Sequence, residues 1–187
     1  MVKAMAAGVT SLMALLAPGP AFAFGTQSVE TDLVLADCTI DHTNDFETVW
    51  ACPGYKGVPV MVRRAQVKAT LSFGLTSTAE RAARQLLPEG YAPTGKVEWR
   101  LSNREGNWKP FATIVRYAAD GPGAGQGAAE VLVVTRLGTG TTCQIAFADA
   151  TADADALALA QQAADAHGFD FDCSKDQPQR LGRFAAW

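Results

Sequence analysis

Apolar and polar side chains alternate with a period of two along much of this chain, and the runs predict strands from residue 46 to residue 148. Residues 46–52 read as a first strand, closed by Pro53-Gly54. Residues 58–63 and 67–73 are dense in β-branched side chains and read as a hairpin pair that Gly74 ends. In 96–102, Val97, Trp99 and Leu101 alternate with Lys96, Glu98 and Arg100; in 111–117, Phe111, Thr113, Val115 and Tyr117 share the same inner face. The turn-rich segment 103–110 joins them. Trp99 set opposite Val115 places Glu98 opposite Arg116 on the other face, where an exposed cross-strand ion pair contributes about 0.2–1 kcal/mol. A last hairpin, 130–137 with 141–148, turns through Gly138-Thr139-Gly140. Its expected register sets Val133 opposite Ile145 and Val131 opposite Phe147, with Cys143 on the same side.

Two stretches change to the helical period. In 77–87 the apolar residues Ala79, Ala82, Ala83, Leu86 and Leu87 form one stripe, and Arg81, Arg84 and Gln85 face water. Ser77 with Glu80 three positions on forms a capping box, and Pro88 and Gly90 close the segment. A longer helix is expected over 152–167, capped by Thr151 or Asp153, with Asp153 and Asp155 at its positive end. Its stripe of Ala156, Leu159, Ala160 and Ala163 is small enough to lie close on a sheet, and Gly168 supplies a left-handed stop. Residues 24–37 and 174–187 show no period and read as a partly loose lead-in and a loose tail. The order of three strands, helix, four strands, helix predicts an α+β fold: an antiparallel sheet of about seven strands with two helices packed on it.

The N-terminus modifies this picture. Lys3, an apolar run over 4–17, Pro18-Gly19-Pro20 and then Ala21-Phe22-Ala23 have the three parts of a cleavable signal peptide, residues 1–23. The run is shorter than the roughly 18–20 residues that span a bilayer. Leu35-Ala36-Asp37-Cys38 carries an aspartate where a lipid-attachment site needs a small residue. Removing 23 of the 187 residues leaves 164, a single exported domain of periplasmic or secreted location. Without Lys3 the balance is 15 basic against 19 acidic side chains, a net charge of −4. Such a surface offers no cationic field to nucleic acid or anionic lipid, and no membrane span remains after cleavage. All four cysteines lie in the mature part, and in an oxidising compartment an even count argues for disulfides. Of three possible pairings, spacing favours Cys38–Cys52, bracketing a short polar loop, and Cys143–Cys173. On the chain-entropy model each stabilises by about 3–4 kcal/mol.

Candidate chemistry is sparse. The chain has two histidines. His167 falls at a helix C-terminus, where its role is capping. His42 lies among Asp37, Asp41, Asp45 and Glu47, but the spacing lacks the glycine and terminal glutamate of a calcium loop and reads as a solvated acidic loop. No CxxC or His-x3-His spacing suggests a metal, and Gly-x-Ser-x-Gly, Ser-x-x-Lys and His-Glu-x-x-His are all missing. Gly123-Ala-Gly125-Gln-Gly127-Ala128 matches a relaxed dinucleotide fingerprint, yet a strand follows it instead of the helix N-terminus that holds a pyrophosphate. It reads as a hairpin loop. No catalytic residue, metal or cofactor is therefore assigned. Aromatic residues carry what binding signal there is. Trp99, flanked by Glu98 and Arg100, reads as core; Tyr55 beside Lys56 and Trp108 beside Lys109 are candidate exposed anchors, with Arg100 and Arg116 as further candidates. The expected function is a non-catalytic binding or inhibitory module acting on an envelope protein or a glycan. An accessory component of an envelope complex, docked through the tail, is the alternative, and a hydrolase using carboxylates the third.

Overall fold

A computed structural model describes residues 24–66, 68–74, 77–85, 87, 90–119 and 129–182. The expected signal peptide, Val67, Leu86, the glycine-rich run at 121–127 and the last five residues of the tail lie outside the described residues. Ten strands form two sheets, with one α-helix among the described residues, so the fold is α+β. The expectation of seven strands in one sheet and two helices is corrected on both counts.

The first strand, β1 (Thr26–Asp32), pairs antiparallel with β6 (Tyr91–Ser102). A four-stranded antiparallel meander follows in chain order: β2 (Thr39–Thr43), β3 (Thr48–Cys52), β4 (Val60–Ala65) and β5 (Lys68–Phe73). The chain then builds the six-stranded sheet, adding to β6 the strands β7 (Lys109–Ala119), β8 (Glu130–Arg136) and β9 (Cys143–Asp149). The helix α1 (Ala156–His167) crosses back, and β10 (Gln179–Leu181) pairs parallel to β9.

The larger sheet is the middle of three layers. Its inner face, with Val97, Trp99, Leu101, Val115, Tyr117 and Val133, packs on Val60, Val62, Leu71 and Phe73 of the smaller sheet. Its outer face, with Ile114, Leu132, Val134 and Ala146, packs on Ala156, Ala160, Ala163 and Ala164 of α1. Alternation along β7 and β8 supplies both cores at once. Burial pushes the Tyr117 hydroxyl well above its ordinary titration range, against a smaller opposing effect of a backbone hydrogen bond with Leu71. The disulfides join Cys38 to Cys52 and Cys143 to Cys173, and no cysteine is free.

Several local expectations change. The stretch read as a first helix forms two short 3₁₀ turns, Ser77–Ala79 and Arg81–Arg84. Its capping groups are used elsewhere: the Ser77 hydroxyl accepts from Ser72 Oγ at 3.0 Å, and Glu80 Oε1 accepts from the Gly140 N–H at 3.0 Å. The Ala82 N–H donates to the Thr142 carbonyl at 3.1 Å, laying the segment along β9. Likewise α1 starts only after Asp155, because the Thr151 hydroxyl donates to the Glu130 carbonyl and Asp153 Oδ1 accepts from the Asp155 N–H in the preceding turns. Gly168 has a right-handed φ of −61°. Glycine is needed there for close approach, since a Cβ would lie 2.6 Å from both Phe111 Cδ2 and the Ala164 carbonyl.

Both hairpin registers shift by two residues. Trp99 faces Thr113 and Val97 faces Val115, with irregularities at Thr94/Val97 and Arg100/Leu101. Glu98 thus faces Ile114; it shares a face with Arg116 but is not opposite it, and Arg116 pairs with Glu130. In the next hairpin Val133 faces Phe147 and Val131 faces Asp149, with a bulge at Val134/Thr135. Cys143 belongs to the core under α1, away from Val131 and Val133. The lead-in is the edge strand β1, and the tail forms β10.

Candidate functional site

The five residues singled out from the sequence occupy three separate places. Tyr55 is half-buried, its ring 6.2 Å from that of Trp99 and capped by Lys56 Nζ at 5.3 Å from its centroid. Trp99 is buried and donates from Nε1 to Thr31 Oγ1 at 2.8 Å. Trp108 is exposed and lies against Gly25, where a Cβ would come 3.3 Å from its ring; neighbouring Lys109 pairs with Glu105 at 2.7 Å.

Arg100 is only 8% exposed, and its donors are engaged. It forks onto Asp165 of α1, with Nε 3.0 Å from Oδ1 and Nη2 2.6 Å from Oδ2, and also donates to Ser28 Oγ at 2.6 Å and Thr26 Oγ1 at 3.1 Å. Glu98 Oε1 accepts from Ser28 Oγ and, at 2.8 Å, from Gln161 Nε2. Charges that alternation placed on a wet face instead form a polar layer that docks α1 on β1 and β6. Beside this layer Arg116 walls a shallow groove of about 280 Å³ with Lys96, Ile114, Leu132 and Leu157.

Sequence reasoning missed the β2–β3 hairpin. Val34 (46% exposed), Leu35 (37%), Ile40 (62%) and Phe46 (77%) all fall in the span 34–46 leading into and around it. Every residue of β2 is exposed, and among the described residues the strand is paired on one side only. Asn44 Oδ1 accepts from the backbone N–H groups of Phe46 (2.8 Å) and Glu47 (3.0 Å), forming the turn that holds Phe46 outward. Asp37, Asp41 and Asp45 are exposed around it, and Glu47 pairs with Arg63. The available signal was Ile40 and Phe46 standing among polar neighbours, with no inner face to receive them.

A second feature lies where β7 begins and β8 ends. Two hollows there share Pro110 and Leu137 as common wall. The larger, about 330 Å³, is lined by Val58, Phe73, Thr139, Thr142 and Glu80. Glu80 is 8% exposed; its Oε1 takes the Gly140 N–H, and its Oε2 is buried with no hydrogen-bond partner among the described residues. The smaller, about 180 Å³, is lined by Arg104, Lys109, Arg136, Glu105 and Phe169. The Arg104 guanidinium stands 4.4 Å over the Phe169 ring, which stacks on Phe111 at 4.4 Å and 19°. Arg136 donates from Nη1 to the Phe171 carbonyl, while its buried Nε has no partner among the described residues.

No group of three His, Cys, Asp or Glu side chains among the described residues is placed to hold a metal ion, and no described helix is long and apolar enough to cross a membrane. No family model, curated protein or solved structure matches the chain. What defines it is a class of surface: a two-sheet α+β protein, stapled by disulfides, with an apolar edge hairpin and a charged double hollow.

Proposed function

We propose that this chain is an exported, non-catalytic binding module, periplasmic or secreted, that engages another protein of the cell envelope through its β2–β3 hairpin. The carrying observation is that Val34, Leu35, Ile40 and Phe46, spaced from the base to the turn of a hairpin stapled by Cys38–Cys52, are all exposed along an edge strand. Apolar side chains held rigidly in water favour a partner that covers them, and an edge strand offers its free N–H and C=O groups for strand addition. Asp37, Asp41 and Asp45 call for a partner patch with a basic rim, which speeds encounter and rejects acidic surfaces. The signal-like N-terminus and the paired cysteines support export.

In-cell cross-linking of the tagged full chain, read by mass spectrometry, tests this. One envelope protein should be recovered reproducibly, and Phe46→Ser with Ile40→Ser should reduce its recovery about tenfold or more. Both side chains are more than half exposed, so the melting temperature should hold. Unchanged recovery by the folded double variant would overturn the hairpin as the docking element.

A further inference from the structure

We infer that the two hollows joined at Pro110 and Leu137 are one bipolar cleft that binds a peptide C-terminus ending in lysine or arginine. The free carboxylate lies in the Arg104, Lys109 and Arg136 lobe and the basic side chain runs toward Glu80. This inference is independent of the hairpin reading. The two lobes are chemically opposite. On one side, among the described residues, three cations face a single acid, Glu105, itself paired with Lys109, within a protein whose overall charge is negative. Arg104 is held on Phe169 and Arg136 on the Phe171 carbonyl, so two guanidinium groups stand pre-positioned for a carboxylate.

On the other side Glu80 is the sole charged residue among the described residues of the lining. Val58, Phe73, Pro110 and Leu137 give apolar walls against which the methylene stem of a long basic side chain packs, with its charged end at the carboxylate. A buried carboxylate oxygen without a donor is costly, and Glu80 Oε2 has none among the described residues. A ligand ammonium or guanidinium supplies that donor. The two lobes share Pro110 and Leu137 as a common wall, and a terminal lysine carries both of the charges that the lobes call for. Neither lobe alone distinguishes such a terminus from any other anion or cation; the pair does.

The test is calorimetric titration of the oxidised full chain with acetyl-Ala-Ala-Lys, its C-terminal amide, and acetyl-Ala-Ala-norleucine as the free acid. The lysine acid should bind, and the amide and the norleucine acid should each bind about tenfold or more weakly. Glu80→Gln keeps an acceptor for the Gly140 N–H and should erase the preference for lysine over norleucine. Arg104→Gln, an exposed change, should erase the preference for acid over amide. Equal binding of the three peptides, or no saturable binding to about 1 mM, overturns the proposal. Phe46→Ser should leave peptide binding unchanged, so failure here and failure of the hairpin reading are separate results.

Discussion

Arg100 shows how far a single position can be read in advance. Its place on the face opposite Trp99 follows from alternation alone, and the structure keeps it there. Its burial does not follow, because it depends on α1 crossing over β6 and bringing Asp165 to the guanidinium. A candidate surface anchor is thus a positioning residue. Gly168 makes a related point: a glycine at the helix end was legible, but its cause is the closeness of Phe111, which no local pattern encodes. Removing the Arg100 head group leaves Glu98 buried and Asp165 without its forked partner. Arg100→Ala should therefore lower stability by about 2–4 kcal/mol in urea denaturation. Asp165→Asn should cost less, about 1 kcal/mol, since that carboxylate is about a third exposed and partly solvated in any case. Equal losses from both would mean that the fork to Asp165, and not the wider polar layer around Arg100, sets the energy at this site.

Among the elements, those with at least one dry face were legible and those without were not. β3 to β9 carry apolar patterns because each presents side chains to a core. β1, β2 and β10 are edge strands wet on most positions, so their sequences carry no period to find. β2, the outer strand of the hairpin that carries the proposed function, is among these, which is why its sequence reads as a polar loop. The 77–87 segment failed for the opposite reason: its stripe suits a helix, but hydrogen bonds to β9 outweigh local preference. Gln85 is the strongest of these ties. Its Oε1 accepts from the Gln144 N–H at 2.7 Å, its carbonyl accepts from Gln144 Nε2 at 3.0 Å, and its Nε2 donates to the Gln144 carbonyl at 3.3 Å. Gln85→Ala strands the Gln144 backbone groups, so stability should fall by about 1–3 kcal/mol. The Gln144 amide should also lose hydrogen-exchange protection ahead of the Ile114 and Val134 amides. Uniform loss across β7 to β9 would show that the segment is part of the global unfolding unit.

At the scale of the whole molecule the two disulfides sit on different layers, and that separates their effects. Their pairing followed from spacing, because each closes a short stretch of chain: 14 residues for Cys38–Cys52 and 30 for Cys143–Cys173. Chain entropy alone makes them nearly equal, about 3 and about 3.6 kcal/mol. Their surroundings do not. Cys38–Cys52 fastens the base of the β2–β3 hairpin to the smaller sheet. Cys143–Cys173 ties β9 to the segment after α1, which carries Phe169 under Arg104 and the Phe171 carbonyl under Arg136. That segment is further held by Arg81, which donates to the Cys173 carbonyl, and by Asp172, whose carboxyl the Ser174 hydroxyl and then Lys175 keep well below the usual carboxylate range. A carboxyl lowered in the folded state contributes fully above its unfolded pKa and loses that contribution as pH falls toward its folded pKa. Near neutral pH Asp172 therefore adds to the disulfide and Arg81, and in strong acid the segment depends on those two alone. Cys38→Ala with Cys52→Ala should therefore weaken capture of the proposed envelope partner and leave acetyl-Ala-Ala-Lys binding intact. Cys143→Ala with Cys173→Ala should do the reverse, weakening the peptide several-fold at a similar cost in melting temperature. If both pairs lowered both activities in proportion to stability, the hairpin and the cleft would be parts of one cooperative surface and not two independent sites.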